Sequence, residues 1–234
     1  MIARTLGSLD LDAVVFDAYG TLFDTGSVEV VAERMFPGRG HELSTRWRAK
    51  QLEYSWLQSL MQSPQCRRQD FAAITAHALD YALEALKLAP TSSTQRRLLD
   101  AWLELAPFAD AESTLRAVAP RPRIVLSNGT QAMLEPLIAQ SGLGDHIDGI
   151  LSVDAVGAYK PAPRVYQYAV DRLRLLPARI GFVSANGWDA AGAKAFGLTT
   201  IWINRTGAPV ERHAPAPDAI VRALGEIPAL LGAT

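Results

Sequence analysis

The sequence predicts an α/β fold: a doubly wound, Rossmann-like parallel sheet core with an all-helical cap inserted after the first strand. Three observations carry this expectation. Short apolar runs, each closed by a polar or turn residue, recur at 13–16, 124–126, 150–153, 180–183 and 200–203, as strands buried on both faces should. Amphipathic stretches near 131–141, 163–174, 188–196 and 217–231 alternate with them, and such alternation builds strand–helix–strand units into one sheet. The interval from about 25 to 106 breaks the rhythm with helix-like stretches alone.

Taken in order, Ala13-Val14-Val15-Phe16 is the first run and stops at Asp17. The insertion follows, with helical stretches near 41–62, 67–88 and 93–105, punctuated by Pro37-Gly38, Pro64 and Pro90. The chain therefore divides into a core of residues 1–24 and 107–234 and a cap of 25–106. Ile124-Val125-Leu126 then runs into Ser127-Asn128-Gly129, and Ile150-Leu151-Ser152-Val153 ends at Asp154. Ile180-Gly181-Phe182-Val183 stops at Ser184, and Thr200-Ile201-Trp202-Ile203 at Asn204. Gly142 and Gly197 follow two of the helical stretches, where helix C-caps belong. A chain of 234 residues is long enough for one core carrying a smaller inserted domain.

The bulk properties exclude several function classes. A formal net charge of −1 carries no signature of a nucleic-acid or acidic-membrane partner, and the pairs Arg67-Arg68 and Arg96-Arg97 read as exposed helix faces. No segment approaches the roughly 20 apolar residues that span a bilayer. The opening MIARTLGSLDLDAVVFD has no long apolar stretch, so no secretory leader is expected. A single cysteine, Cys66, permits neither an intrachain disulfide nor a cysteine metal cluster. A soluble, cytoplasmic enzyme is the expectation.

In an open parallel sheet, ligands bind beyond the carboxyl ends of the strands. The residues just past those ends are Asp17, Tyr19, Thr21, Ser127, Asn128, Lys160, Ser184, Asn186 and Asp189. Singly, each has a bland reading: Asp17 as a turn former, Ser127-Asn128-Gly129 as a helix cap, Lys160-Pro161 as an exposed loop. Together, in order and each at a strand end, they supply carboxylates, hydroxyls, an amide and a lysine that a packing surface does not need.

Four segments carry a resemblance: Phe16-Asp17-Ala18-Tyr19-Gly20-Thr21-Leu22-Phe23-Asp24, Leu126-Ser127-Asn128-Gly129, Tyr159-Lys160-Pro161, and Ser184-Ala185-Asn186-Gly187-Trp188-Asp189. They are similar to the four motifs of the haloacid dehalogenase superfamily, over nearly the whole chain. Most of that superfamily are phosphatases, which carry a second Asp two residues after the first as general acid. Here Tyr19 stands in that place, and it cannot play the role near neutral pH. Ala185 replaces one of the carboxylates that would hold Mg²⁺. In the cap, Phe36-Pro37-Gly38-Arg39-Gly40 and Trp47-Arg48-Ala49-Lys50-Gln51-Leu52-Glu53-Tyr54-Ser55-Trp56-Leu57 resemble the L-2-haloacid dehalogenases in particular.

The resemblance implies hydrolysis of short-chain (S)-2-haloacids to (R)-2-hydroxyacids and halide, with no metal or other cofactor. Asp17 attacks the α-carbon to form an ester, and Lys160 beside it keeps it ionised. Arg48 and Asn128 meet the departing halide, while Ser127 and the backbone N–H groups at Ala18 and Tyr19 hold the substrate carboxylate. Leu52, Phe71 and Trp188 form the apolar wall. Asp189, oriented by Ser184 and Asn186, serves the hydrolytic water, and Thr21 and Tyr166 support that network. A homodimer is also implied, with the helix around Tyr54 and Trp56 as its surface. Two rivals remain: a Mg²⁺-dependent phosphatase with a rewired site, and a catalytically silent relative. One segment departs from the subfamily pattern, since Arg68 stands three residues before Phe71 where a tyrosine is usual, and Pro64-Gln65-Cys66 form a short insertion.

Overall fold

The computed structural model describes residues 8–232. The outermost residues of the expected core, 1–7 and 233–234, lie outside it, and with them the first seven residues of the N-terminal segment read as lacking a leader.

Strand β1 (Ala13–Phe16) is buried at every position. Four helices follow it: α1 (Gly26–Met35), α2 (Gly40–Leu60), α3 (Phe71–Ala85) and α4 (Ser92–Asp100), the last running on into a 3-10 turn at Ala101–Leu103. Helix α5 (Ala111–Val118) leads into β2 (Arg123–Ser127), α6 (Gln131–Gln140) and β3 (Gly149–Ser152). The chain closes with α7 (Pro163–Leu173), β4 (Ile180–Ser184), α8 (Gly187–Phe196), β5 (Thr199–Ile203), β6 (Ala219–Val221) and the short α9 (Ile227–Leu230).

All six strands are parallel, in the order β3-β2-β1-β4-β5-β6. From β1 the chain winds outward to β2 and β3, then returns to β1's other edge for β4, β5 and β6. The reversal puts the end of β1 at the topological switch point, where an open α/β sheet has its crevice. Asp17 is the first residue beyond that end, and its N–H extends the ladder by donating to the Val183 carbonyl at 2.9 Å.

Helices α1 to α4 follow one another with no strand among them, and α2 packs against both α1 and α3. Asp70 starts α3, its carboxylate accepting from the Ala73 N–H at 2.8 Å, an N-cap that satisfies an otherwise orphaned donor. Helices α2 and α3 are tied by Trp47 Nε1, which donates to the Thr75 carbonyl at 2.8 Å, and by Gln51 Nε2, which donates to Thr75 Oγ1 at 2.6 Å.

Several expectations are corrected. The stretch 217–231 is not one helix: it opens with β6 and continues through a 3-10 turn into α9. Ala219 and Val221 are buried while Ile220 is exposed, the period of an edge strand, and pairing with β5 overrides the helical pattern. Helices α1 and α5 are additional to the expected ones. Arg68 is not on an exposed helix face: it precedes α3 and its side chain is mostly covered. Gly197, at φ +113°, does cap α8.

One glycine positions the site. A Cβ on Gly192 in α8 would lie 2.5 Å from Pro161 Cβ and 2.8 Å from the Tyr166 hydroxyl, so only glycine allows α8 this close to the Lys160-Pro161 loop. Gly192→Ala should lower stability, because a clash costing about 1–3 kcal/mol outweighs the helix-propensity gain of about 1 kcal/mol. The urea midpoint should fall with the slope unchanged.

Candidate active site

Asp17 is 5% exposed and receives four donors. Lys160 Nζ lies 3.0 Å from its Oδ1. On Oδ2 converge Asn186 Nδ2 at 2.8 Å, Thr21 Oγ1 at 3.0 Å and Ser184 Oγ at 3.3 Å. The hydroxyl orientations follow from the backbone. Thr21 Oγ1 accepts from the Ala185 N–H at 2.9 Å and Ser184 Oγ from the Asn186 N–H at 3.1 Å, so each turns its own hydrogen to Asp17. Asn186 stands at the N-cap of α8, yet its amide leaves the helix uncapped and reaches Asp17 and the Tyr19 carbonyl instead.

The loop that presents Asp17 is a tight turn. The Ala18 carbonyl accepts from the N–H groups of Thr21, Leu22 and Phe23, and Gly20 supplies the φ of +82° that L side chains resist. Arg205 pins this turn from β5's side, donating to the carbonyls of Gly20 and Thr21 at 2.9 and 3.1 Å. Among the described residues, the N–H groups of Ala18 and Tyr19 have no protein acceptor, which leaves two backbone donors beside the nucleophile for an anionic group.

Lys160 is shared. Its Nζ also lies 2.9 Å from Asp189 Oδ2, and both residues are buried. Tyr166 holds the other Asp189 oxygen, donating to Oδ1 at 2.7 Å. Burial disfavours the charge on Lys160, but the two carboxylates outweigh it and raise its pKa. Asp189 is pushed up to about 6, by burial first and by the charge of Asp17, against the pull of Lys160. Burial, with Asp189 beside it, also raises the Tyr166 hydroxyl.

Asn128 Oδ1 accepts from the Lys160 N–H at 2.9 Å, which fixes the amide orientation and directs the two Nδ2 hydrogens elsewhere. Ser127 Oγ accepts from the Gly129 N–H at 3.1 Å, so its own hydrogen is free to donate. Arg48 comes from α2: its Nη1 donates to Gln51 Oε1 at 2.6 Å and its guanidinium lies 5.5 Å from the Trp102 ring centroid. Burial lowers its pKa, while the charge of Asp17 raises it, so the cap arginine and the core carboxylate share one field.

The aromatic side chains pack beside this centre. Tyr19 stacks on Phe71 at 5.9 Å and meets the edge of Trp102 at 5.6 Å. Its hydroxyl is buried with no hydrogen-bond partner, and burial raises its pKa further out of reach of acid catalysis. Two cavities approach the site. One of about 510 Å³ is lined by Trp56, Tyr159, Lys160, Pro161, Trp188 and His213; another of about 400 Å³ includes Arg48, Leu52 and Trp102. Trp188 lines the first cavity and Leu52 the second, and Tyr166, expected to support the Asp189 network, donates to Asp189 Oδ1. A further cavity of about 790 Å³ beside α1 contains none of the expected site residues.

The sequence reading missed Gln51, Trp102 and Arg205. Gln51 had a signal, three residues after Arg48 on one helix face. Trp102 and Arg205 had none, because chain folding alone brings them to Arg48 and to the Asp17 turn.

A family model described as haloacid dehalogenase-like hydrolase matches residues 11–197. The chain is 42% identical to the (S)-2-haloacid dehalogenase of Xanthobacter autotrophicus, over 94% of this chain and 95% of that one. It is 44% identical to the (S)-2-haloacid dehalogenase of Pseudomonas sp. strain YL, over 92% and 91%. The chain is a haloacid dehalogenase-like hydrolase of the L-2-haloacid dehalogenase subfamily. Among solved structures, the L-2-haloacid dehalogenase of X. autotrophicus with chloropropionic acid covalently bound superposes with a TM-score of 0.87 at 41% identity, covering 95% of this chain and 98% of that one. In this subfamily member, the two buried carboxylates share one lysine. Among the described residues no group of three or more His, Cys, Asp or Glu side chains is arranged around a common point.

Removing the shared cation should expose the cost of this arrangement. Lys160→Met leaves two buried carboxylates facing each other, a loss of about 3–5 kcal/mol. Their folded pKa values then lie above the unfolded ones, so the native state binds more protons and the deficit grows as pH rises. Urea unfolding at about pH 5 and about pH 8 should show the larger deficit at the higher pH.

Proposed function

We propose that the protein hydrolyses short-chain (S)-2-haloacids to (R)-2-hydroxyacids and halide through an ester on Asp17, without a metal ion. The observation that carries the reading is the distribution of donors on Asp17. Oδ2 takes three hydrogen bonds, whereas Oδ1 meets only Lys160, so Oδ1 keeps the lone pair for attack. It displaces halide from the α-carbon with inversion. Arg48 and the Asn128 amide donate to the leaving anion, while Ser127 and the Ala18 and Tyr19 N–H groups take the substrate carboxylate. Phe71 and Tyr19 give the α-substituent an apolar surface.

Oδ2 then becomes the ester carbonyl oxygen. Water attacks the Asp17 Cγ, and the negative charge develops on the oxygen already surrounded by Asn186, Thr21 and Ser184, a preorganised oxyanion site. Asp189, held in place by Tyr166 and Lys160, takes the proton from that water. The adduct then collapses with cleavage of the Cγ–Oδ1 bond; the product leaves with Oδ1 as its hydroxyl oxygen and takes that proton from Asp189, and the water oxygen remains in the Asp17 carboxylate. Esterification removes the Asp17 charge and leaves Lys160 to Asp189 alone, so the base is more easily ionised in the intermediate than in the free enzyme.

The metal-free reading is supported by the donor set: both carboxylates have their counter-charge in one ammonium, and Ala185 brings no further carboxylate. A phosphatase would need a general acid at Tyr19, whose hydroxyl has its pKa raised by burial. The region 25–106 is proposed as the cap that brings Arg48 to the core. A cytoplasmic homodimer is part of the same proposal; Trp56, however, packs on Trp188 at 5.5 Å, which leaves Tyr54 and the exposed Tyr81 as the aromatic pair for a dimer face. Among the described residues no helix is long and apolar enough to cross a membrane.

In EDTA, the enzyme should release halide from L-2-chloropropionate and not from the D form. Asp17→Asn should lose at least about 10³-fold in rate. Mg²⁺-dependent cleavage of p-nitrophenyl phosphate without halide release would overturn the reading. Single-turnover hydrolysis of the ester should keep its rate as pH falls to about 6 and lose it only below, because Asp189 must be ionised to act as base. A midpoint above 6 would remove Asp189 from that role.

A further inference from the structure

The segment between α2 and α3, where this chain departs from its subfamily's pattern, makes a run of contacts that the catalytic reading does not use. Arg68 Nη2 donates to Asp154 Oδ1 at 2.7 Å, and its guanidinium lies 4.3 Å from the Tyr159 ring centroid. The Tyr159 hydroxyl returns to the segment, donating to the Gln69 carbonyl at 2.5 Å. Gln62 Nε2 donates to the Gly157 carbonyl at 2.7 Å, and the Tyr159 N–H donates to Ser59 Oγ at 2.8 Å. Every core partner lies in residues 154–159, the stretch that ends at Lys160. The segment is braced for this: Ser63 and Cys66 exchange backbone hydrogen bonds, and the Gln69 N–H donates to Gln58 Oε1 at 2.9 Å.

We propose that Arg68 is a positioning residue: it clasps the helical insertion to the loop carrying Lys160 and so holds the closed arrangement in which Arg48 faces Asp17. The guanidinium suits the task, since it can hydrogen-bond a carboxylate in its plane while its face lies on an aromatic ring. Its side chain is 15% exposed and that of Asp154 35%, so the pair is only partly screened by solvent. Loosening a contact that only holds the insertion in place weakens substrate binding before it slows the chemical step. KM should therefore rise while kcat stays nearly constant.

The test compares Arg68→Met, Asp154→Asn and the double variant, with Arg68→Lys as the conservative control. The reaction arm rests on the dehalogenase reading, so an arm free of substrate accompanies it. Each single variant should raise KM for L-2-chloropropionate by roughly three- to ten-fold, with kcat within about two-fold. The double variant should be no worse than Arg68→Met, the non-additivity of a shared interaction, and Arg68→Lys should recover part of the loss. In the substrate-free protein, amide hydrogen exchange at residues 153–160 and 59–69 should quicken in Arg68→Met and Asp154→Asn alike, while the β1 and β4 amides stay protected. Unchanged exchange in both regions would overturn the clasp. Faster exchange with unchanged KM would overturn its part in the reaction. Faster exchange in a protein that releases no halide would support the clasp and count against the dehalogenase reading instead.

Discussion

The site depends on one buried ammonium. Lys160 sits about 3 Å from a carboxylate oxygen of both Asp17 and Asp189, and all three side chains are withdrawn from water. Two carboxylates this close in a low-dielectric crevice could not both be ionised without a cation between them. Each group thereby fixes the others: the lysine is charged because of the carboxylates, and the carboxylates remain available because of the lysine. The surrounding elements hold that triad together. The sheet brings the ends of β1 and β4 side by side, Gly192 lets α8 approach the Lys160 loop, and Tyr166 reaches across from α7 to the remaining Asp189 oxygen.

The asymmetry of Asp17 gives the triad its direction. One oxygen is surrounded by Thr21, Ser184 and Asn186, and the two hydroxyls among them already accept from backbone N–H groups. The other faces a single donor. A nucleophile that must later become an electrophile needs this division, because the oxygen that attacks and the oxygen that takes up charge in the second step are different atoms. The helical insertion completes the arrangement from above, through Arg48 and through the contacts made by residues 59–69. The lysine of the triad and the contacts of residues 59–69 therefore meet in the same stretch, residues 154–160.

Much of this was legible in the sequence because each strand of a parallel α/β sheet ends at the same edge. Asp17, Ser127, Ser184 and Asp189 could be collected as a site without knowing any distance, since topology alone delivers strand ends to one crevice. Periodicity was a weaker guide at the edge of the sheet. Residues 217–231 combine apolar spacings that suit a helix, and only the free edge of β5 selects the strand Ala219–Val221 from them. The basic pair Arg67-Arg68 read as solvated charge because an arginine's partner is invisible until the chain folds; Asp154 is 86 positions away.

What the sequence by itself determined is the fold class, the succession of the first five strands along the chain with the helical stretch after the first, and the identity of the groups at the strand ends, all consequences of local pattern and of a topology that has few alternatives. The tertiary structure decided which oxygen of Asp17 is free, which residue each hydroxyl serves, and that Arg205 and Trp102 belong to the site. Those features depend on side-chain directions set by packing between elements far apart in the chain, and no spacing along the sequence encodes them.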